Sequence, residues 1–81
     1  MKAYKNTSGN SDVKAYQIYK DAIKVQFNDG SIYLYSYEKN GEPTVEIMKA
    51  LATSQQGLGT YISLKAKKET AEKLDGNGTR N

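Results

Sequence analysis

The sequence has no cysteine and no histidine among its 81 residues, and these two absences restrict the chemistry available to it. Without cysteine, neither disulfide bonds nor thiolate metal sites can form. Without histidine, the chain lacks the commonest general base and the commonest metal ligand of proteins. Hydrolytic triads, zinc sites and haem ligation through histidine or cysteine are therefore excluded. The composition leaves open a magnesium or calcium site made of oxygen ligands, but no pattern indicates one, and we expect no metal and no cofactor.

The acidic residues also lack a catalytic arrangement. Nine aspartate and glutamate residues are scattered along the chain, and no two of them form an evident acid–base pair. Asp29 is explained by a turn, and Glu46 by the first turn of a predicted helix, where negative charge is favourable. The serines have no base near them in the pattern. We therefore expect a protein that is not an enzyme.

Charge and hydropathy set further limits. Twelve basic residues against nine acidic ones give a net charge of +3. This mild excess permits a polyanionic partner but is equally typical of an ordinary solvated surface. No apolar run approaches the roughly 20 residues that span a membrane, and the first dozen residues contain no hydrophobic stretch of a secretory signal. We expect no membrane association and a cytoplasmic location.

Both ends of the chain are polar and rich in asparagine, glycine or serine. Residues 1–12 and 75–81 are therefore predicted to be flexible, and residues 13–74 to form a single domain. Within it, β-branched and aromatic residues predict strands over residues 13–19 and 22–28. A third strand follows and ends at Asn40-Gly41.

The second half of the domain predicts one well-defined helix. Pro43 suits its first turn, and Gly57 is a plausible stop signal. Between them, apolar residues recur at helical spacing, and we expect this helix to cover one face of the sheet. Gly57-Leu58-Gly59 reads as a linker, residues 61–64 as a strand or an apolar segment on the core, and residues 65–74 as a short helix. The predicted fold class is α+β: a three-stranded antiparallel meander packed by one α-helix, with a C-terminal strand or helix.

The central hairpin is the most informative stretch. Asp29-Gly30 matches a two-residue type I′ loop, which requires positive φ angles. With that loop, Phe27 faces Ile32 and Gln26 faces Tyr33 on the neighbouring strand. Because side chains alternate along a strand, one face then carries the core residues Ile23, Val25, Phe27, Ile32 and Leu34. The opposite face carries Lys24, Gln26, Asn28, Tyr33, Tyr35 and Tyr37.

This tyrosine face has two interpretations. In one, the rings pack across strands as a half-exposed seam, with Tyr16 and Tyr61 nearby. In the other, unpaired bases stack on the rings while lysines contact phosphates. The densest basic cluster, at positions 65, 67 and 68, is either a solvated helix end or a source of phosphate contacts. The candidate ligand-binding residues are Lys24, Gln26, Tyr33, Tyr35, Tyr37, Lys65 and Lys67.

The chain resembles the KTSC domain, a short module named for a C-terminal extension of some lysyl-tRNA synthetases and also found in small bacterial and phage proteins. The resemblance rests on the pattern Ile23-x-Val25-x-Phe27-x-x-Gly30-x-x-Tyr33-x-Tyr35 followed by a helix opened by Pro43. It covers roughly residues 11 to 64, with Ser11-Asp12-Val13 and Tyr16 upstream and with Ser54, Gly57, Tyr61 and Ile62 downstream. The chain departs from the family where LKAKK replaces an aromatic-plus-arginine ending. The family that it resembles has no established activity, and its synthetase context suggests RNA binding.

Two functions follow from the sequence. The first is a small non-enzymatic module that binds RNA or another nucleotide-containing ligand through the tyrosine face and nearby lysines. The second is a protein–protein interaction domain that buries the same face against a partner, because tyrosine is enriched at such interfaces. A self-pairing variant of the second would use residues 13–19 as an edge strand. The two functions differ in their expected salt dependence, which is steep for nucleic-acid binding.

Overall fold

A computed structural model describes residues 1–5 and 12–75. Within these ranges the chain forms one antiparallel sheet of five strands in the order β1-β2-β3-β4-β5, together with three α-helices and one 3₁₀ helix. In chain order the elements are β1 (Lys2–Ala3), β2 (Val13–Tyr19), β3 (Ala22–Phe27), β4 (Ile32–Ser36), α1 (Tyr37–Asn40), α2 (Glu42–Ser54), α3 (Leu58–Leu64), the 3₁₀ helix (Lys68–Thr70) and β5 (Glu72–Asp75). The predicted α+β class is confirmed, and the sheet is larger than the three-stranded meander expected. None of the described helices is long and apolar enough to cross a membrane.

The β3–β4 hairpin differs from its predicted register by one residue. The main-chain N–H of Phe27 donates to the carbonyl of Ser31 at 2.9 Å, so three residues, 28–30, form the loop instead of two. Gly30 has a φ of +92°, and its N–H donates to the carbonyl of Phe27 at 2.9 Å. Three-residue hairpin loops place a residue with positive φ at their third position, which suits glycine. The Asp-Gly step therefore belongs to a longer loop than the one predicted.

This shift exchanges the two faces of β4. Tyr33 now pairs with Val25 and Tyr35 with Ile23, whereas Lys24 pairs with Leu34. The face under the helices, here called the inner face, carries Ile23, Val25, Phe27, Tyr33 and Tyr35. The opposite face, here called the outer face, carries Lys24, Gln26, Ile32 and Leu34. The predicted separation into an aliphatic face and a tyrosine face is wrong.

The helix that covers the inner face is the predicted one. Pro43 lies in its first turn, and α2 buries Val45, Met48 and Ala52 against the sheet. Its last turn ends at Gln55, whose N–H donates to the carbonyl of Ala52 at 3.1 Å. Three apolar residues at i, i+3 and i+7 place one stripe of the helix on the core. The helix therefore closes most of the inner face with a single apolar stripe.

The C-terminal part of the domain departs from the prediction. The segment expected to be a linker followed by a strand or by an apolar segment on the core is the helix α3, which packs Leu58 and Ile62 into the core. The segment expected to be a helix contains the 3₁₀ turn and then β5, which pairs with β4. Pairing with the neighbouring strand β4 decides the conformation of β5, because the local sequence of this segment alone favours a helix. β5 is the last strand at this edge of the described sheet.

The N-terminal residues also belong to the domain. Lys2 and Ala3 pair with β2, and Tyr4 is 6% exposed. The Tyr4 hydroxyl accepts a hydrogen bond from the N–H of Leu58 at 3.0 Å. Residues 2–4 of the predicted flexible segment therefore contribute strand pairing and a buried tyrosine to the described domain. Residues 6–11 of that segment, and residues 76–81 of the predicted C-terminal tail, lie outside the described residues.

Candidate ligand-binding cleft

The structure does not form the predicted tyrosine platform. Tyr35 is completely buried, and its hydroxyl donates to the main-chain carbonyl of Ala66 at 2.9 Å. Tyr37 is the first residue of α1, and its hydroxyl donates to the Glu46 carboxylate on α2. Neither ring lies on an open sheet face. The alternative prediction is a protein interface on the same tyrosine face. The tyrosines do not form that face in the described structure, for the same reason.

The predicted polar members of the site are also dispersed. Lys24 and Gln26 lie on the outer face, and the Lys24 ammonium is 5.4 Å from the centroid of the Tyr19 ring. Lys65 is exposed at the C-terminal end of α3, where its N–H donates to the carbonyl of Tyr61. These three side chains therefore do not share one surface with the three tyrosines of the predicted site.

Two predicted residues do come together, at a cleft beside the end of the hairpin. Tyr33 and Lys67 both line a cleft of about 410 Å³ between the inner face, α3 and the 3₁₀ helix. Phe27 and Ser63 line it as well, and so does Lys68. The volume lies within the range of small-ligand pockets, about 300–1,000 Å³. The cleft therefore brings two of the predicted site residues, Tyr33 and Lys67, together at one concave surface.

An aromatic pair forms one wall of the cleft. The rings of Phe27 and Tyr33 meet edge to face, with centroids 5.6 Å apart and planes at 78°. The Lys68 ammonium lies 4.5 Å from the centroid of Phe27 and 5.9 Å from that of Tyr33. Phe27 is 2% exposed, whereas Tyr33 is half-buried. Tyr33 therefore offers the accessible ring, and Phe27 supports it from below.

The lysines are held in place by the short 3₁₀ helix. The Asn40 side-chain amide donates to the carbonyl of Thr70 at 2.8 Å and to its hydroxyl at 3.2 Å. The Asn40 amide oxygen accepts from the N–H of Ser36 at 3.1 Å, and the Thr70 hydroxyl donates to the carbonyl of Lys67 at 2.7 Å. Asn40 thus connects the end of β4 to the turn that carries Lys67 and Lys68.

The charges in the cleft are mixed. Lys67 and Lys68 supply two ammonium groups, and Asp12 and Glu69 supply two carboxylates. Two hydrogen bonds from Ser31, through its hydroxyl and its N–H, lower the pKa of the nearby Asp29, with a smaller contribution from Lys68. The positive side of the cleft can hold an anion, while the acidic side can accept hydrogen bonds from amino groups.

A separate polar cluster accounts for the third tyrosine of the predicted platform. Lys49 forms an ion pair with Glu46 at 2.9 Å, and its ammonium donates to the carbonyl of Lys20 at 2.8 Å. The hydrogen bond from Tyr37 lowers the pKa of Glu46, and the same bond raises the pKa of the phenol. These contacts connect α2 to the ends of the strands, so Tyr37 has a structural role. In residues 1–5 and 12–75, no group of acidic residues has the arrangement of a metal site.

Nine residues line the cleft, and seven of them are outside the predicted site. Three of these seven show why. Phe27 was expected in the core, where it does lie, but its edge contact with Tyr33 followed only from the corrected register. Lys68 belongs to the predicted basic cluster but is not one of the candidate ligand-binding residues. Ser63 gave no signal, because residues 61–64 read as a strand when they form part of α3. A three-residue loop at positions 28–30 was the single assumption that would have placed Phe27 and Tyr33 together.

Comparisons with known proteins add no relative. No protein-family model matches the chain, and neither a curated protein nor a solved structure matches it. The resemblance to the KTSC domain therefore stays a prediction.

Proposed function

We propose that this protein is a non-enzymatic binding module for nucleotide-containing ligands, RNA included, and that the cleft is the binding site. The observation that carries the proposal is the accessible ring of Tyr33 beside Lys67 and Lys68 in a concavity of about 410 Å³. A flat ring next to two cations suits a ligand with one aromatic and one anionic part. The residues differ from the predicted set, but the chemistry is the one that the sequence suggested.

The size of the cleft favours one nucleotide unit. Its volume is near the lower end of the small-ligand range, and its lining includes the carboxylates of Asp12 and Glu69 as well as the two lysines. These carboxylates would repel the phosphates of a strand that continued across the cleft. A base amino group could instead donate to them. We therefore expect one base and one phosphate to be bound, from a free nucleotide or from the end of an RNA strand.

Binding is expected to be weak. Stacking of a base on an aromatic ring is worth about 1–3 kcal/mol, and the two lysines add screened contacts to a phosphate. Together these terms correspond to a dissociation constant on the order of 0.1–1 mM. The Lys68 ammonium already lies over the Tyr33 ring, so a stacking base would displace it. The displaced ammonium would then be available to the phosphate.

The resemblance to the KTSC domain supports RNA as the source of the nucleotide, because some members extend a tRNA synthetase. Tyr33 belongs to the motif on which that resemblance rests. It is also the motif tyrosine that the cleft leaves accessible, whereas Tyr35 is buried.

The test is an NMR titration of the ¹⁵N-labelled protein with adenosine 5′-monophosphate and, separately, with a single-stranded hexanucleotide RNA. We expect amide shifts at Tyr33, Ser63 and Lys67–Glu69 with both ligands. Tyr33→Leu keeps an apolar contact with Phe27 but removes the ring, and should weaken binding at least about fivefold. Lys67→Ala with Lys68→Ala should weaken it by a similar factor, whereas Lys65→Ala, which changes an exposed lysine outside the cleft, should not.

Salt dependence provides a second criterion. With two lysines contacting phosphate, the logarithm of the affinity for RNA should fall with the logarithm of salt at a slope no steeper than about −1.4. Absence of shifts in the cleft with both ligands at low salt would refute the proposal. Equal binding by Tyr33→Leu and the unaltered protein would show that the ring has no part in it.

A further inference from the structure

The outer face of the sheet is unusual for a surface strand layer. The helices pack on the inner face, whereas the outer face bears partly exposed apolar side chains. A groove of about 350 Å³ crosses it, with Asp21 at the turn, Lys24 on β3, and apolar or aromatic lining from Tyr19, Ala22, Leu34 and Leu74. Leu74 is 43% exposed. The solvent-facing side of an antiparallel sheet usually carries mainly polar residues, so this face exposes more apolar area than is usual.

The register arranges charges symmetrically around Leu34. Leu34 is paired with Lys24 on β3 and with Glu72 on β5. Neighbouring strands lie about 4.8 Å apart, so Lys24 and Glu72 lie at equal distances on opposite sides of Leu34. Their charges are opposite. A row of this kind is self-complementary under a two-fold rotation about an axis that runs parallel to β4 and lies outside the sheet, over Leu34.

We propose that the outer face binds the outer face of a second copy of this chain, as two sheets packed face to face. With the two-fold axis parallel to β4, Leu34 meets Leu34 of the second copy, and Lys24 faces Glu72 of the second copy on both sides. Such an isologous contact needs one patch that complements itself, which this row supplies. Aligned sheets pack about 10 Å apart, a separation that lysine and glutamate side chains can bridge.

This dimer is independent of the nucleotide proposal, because the cleft opens on the inner side of the sheet. Its strength is limited by its size. With the axis parallel to β4, only β3, β4 and β5 of the two copies overlap, and these strands have four to six residues. Such a contact is smaller than a standard interface of about 800 Å² per partner. We therefore expect a dissociation constant on the order of 100 µM. The dimer is thus a concentration-dependent state.

The test is sedimentation equilibrium of the full chain from about 10 µM to about 1 mM, with charge-exchange variants. The unaltered protein should approach twice its 9.0 kDa mass at the highest concentration. Lys24→Glu alone, and Glu72→Lys alone, place like charges opposite each other and should weaken association at least about tenfold. The double variant Lys24→Glu/Glu72→Lys should restore it.

An equimolar mixture of the two single variants gives the sharpest outcome. In that mixture every facing pair is again opposite in charge, so the mixture should associate although neither variant does so alone. A purely structural effect of either substitution could not produce this recovery, and NMR spectra of the dilute single variants check that both are folded. A monomeric unaltered protein at 1 mM, single variants that associate as it does, or a mixture that stays monomeric would each overturn the proposal.

Discussion

The hydroxyl of Tyr35, at the centre of the sheet, donates to the main-chain carbonyl of Ala66 at 2.9 Å. Tyr35 is completely buried and Ala66 is 2% exposed, so neither group has access to water. Ala66 lies between α3 and the 3₁₀ helix, in a segment without regular structure. The bond therefore holds the C-terminal segment onto the sheet, and it explains why the domain places a tyrosine inside its core.

Replacing Tyr35 by phenylalanine should destabilise the domain. The ring would still fill its place, but the buried carbonyl of Ala66 would lose its partner, which costs about 1–3 kcal/mol. For a domain of this size each kcal/mol corresponds to a fall in Tm of about 4–8 °C. Thermal unfolding followed by circular dichroism measures the change. Tyr37→Phe is the matched control, because it removes an exposed hydroxyl and should cost less; an equal effect of the two would contradict the assigned role.

The hairpin loop should contribute to stability in a pH-dependent manner. Asp29 accepts hydrogen bonds from Ser31, which hold its pKa below the usual range. Since the folded pKa is depressed, this contribution is complete above the unfolded pKa and is lost as the pH falls through the folded value. In Ser31→Ala the side-chain bond is absent, so the carboxyl pKa should rise towards its ordinary value. A carbon-detected NMR titration from about pH 6 to about pH 2 measures both proteins. An unchanged Asp29 pKa would show that the bond is not formed.

Asn40 should control the position of the cleft lysines. Asn40→Ala removes the bonds to Thr70 and the bond from Ser36, whereas Asn40→Asp can still accept from Ser36 but cannot donate to Thr70. Both variants should therefore speed hydrogen exchange of the Ala71 N–H, which bonds to Lys68, and weaken nucleotide binding about two- to fivefold. Only Asn40→Ala should also loosen the end of β4. If exchange at Ala71 is unaffected by both, the 3₁₀ helix is held by other contacts.

The fold class and the main helix could be predicted because local and global preferences agree there. Pro43 at the start of α2 and the apolar stripe through Val45, Met48 and Ala52 point to the same structure. The faces of the hairpin could not be predicted, because the Asp-Gly pair is compatible with both a two-residue and a three-residue loop. Each register buries a plausible set, aliphatic in one and aromatic in the other. The choice between the two registers depends on the hydrogen bond from Tyr35 to the distant residue Ala66, which no local pattern reveals.

The candidate site depended on the same choice. Tyr33 was selected for a flat platform, and it lies instead at the rim of a cleft with Phe27. Lys67 is predicted from the basic cluster at positions 65, 67 and 68, and Lys68 of the same cluster has its ammonium 4.5 Å from the centroid of the Phe27 ring. Which lysine faces the rings depends on the 3₁₀ turn and on its anchor at Asn40, 30 residues away. Contacts of this range are set by the assembled fold.

The bond between Tyr4 and Leu58 has a consequence for how the chain assembles. The two residues are 54 positions apart, so Tyr4, which follows β1, can make this hydrogen bond only after most of the domain has been synthesised. Closing so long a loop is entropically costly, and such contacts slow folding. β1 itself pairs with β2, a near neighbour in sequence, so this strand can join the sheet before α3 exists. The tyrosine hydroxyl, in contrast, can accept its hydrogen bond only once the chain has reached Leu58 and α3 has packed on the sheet.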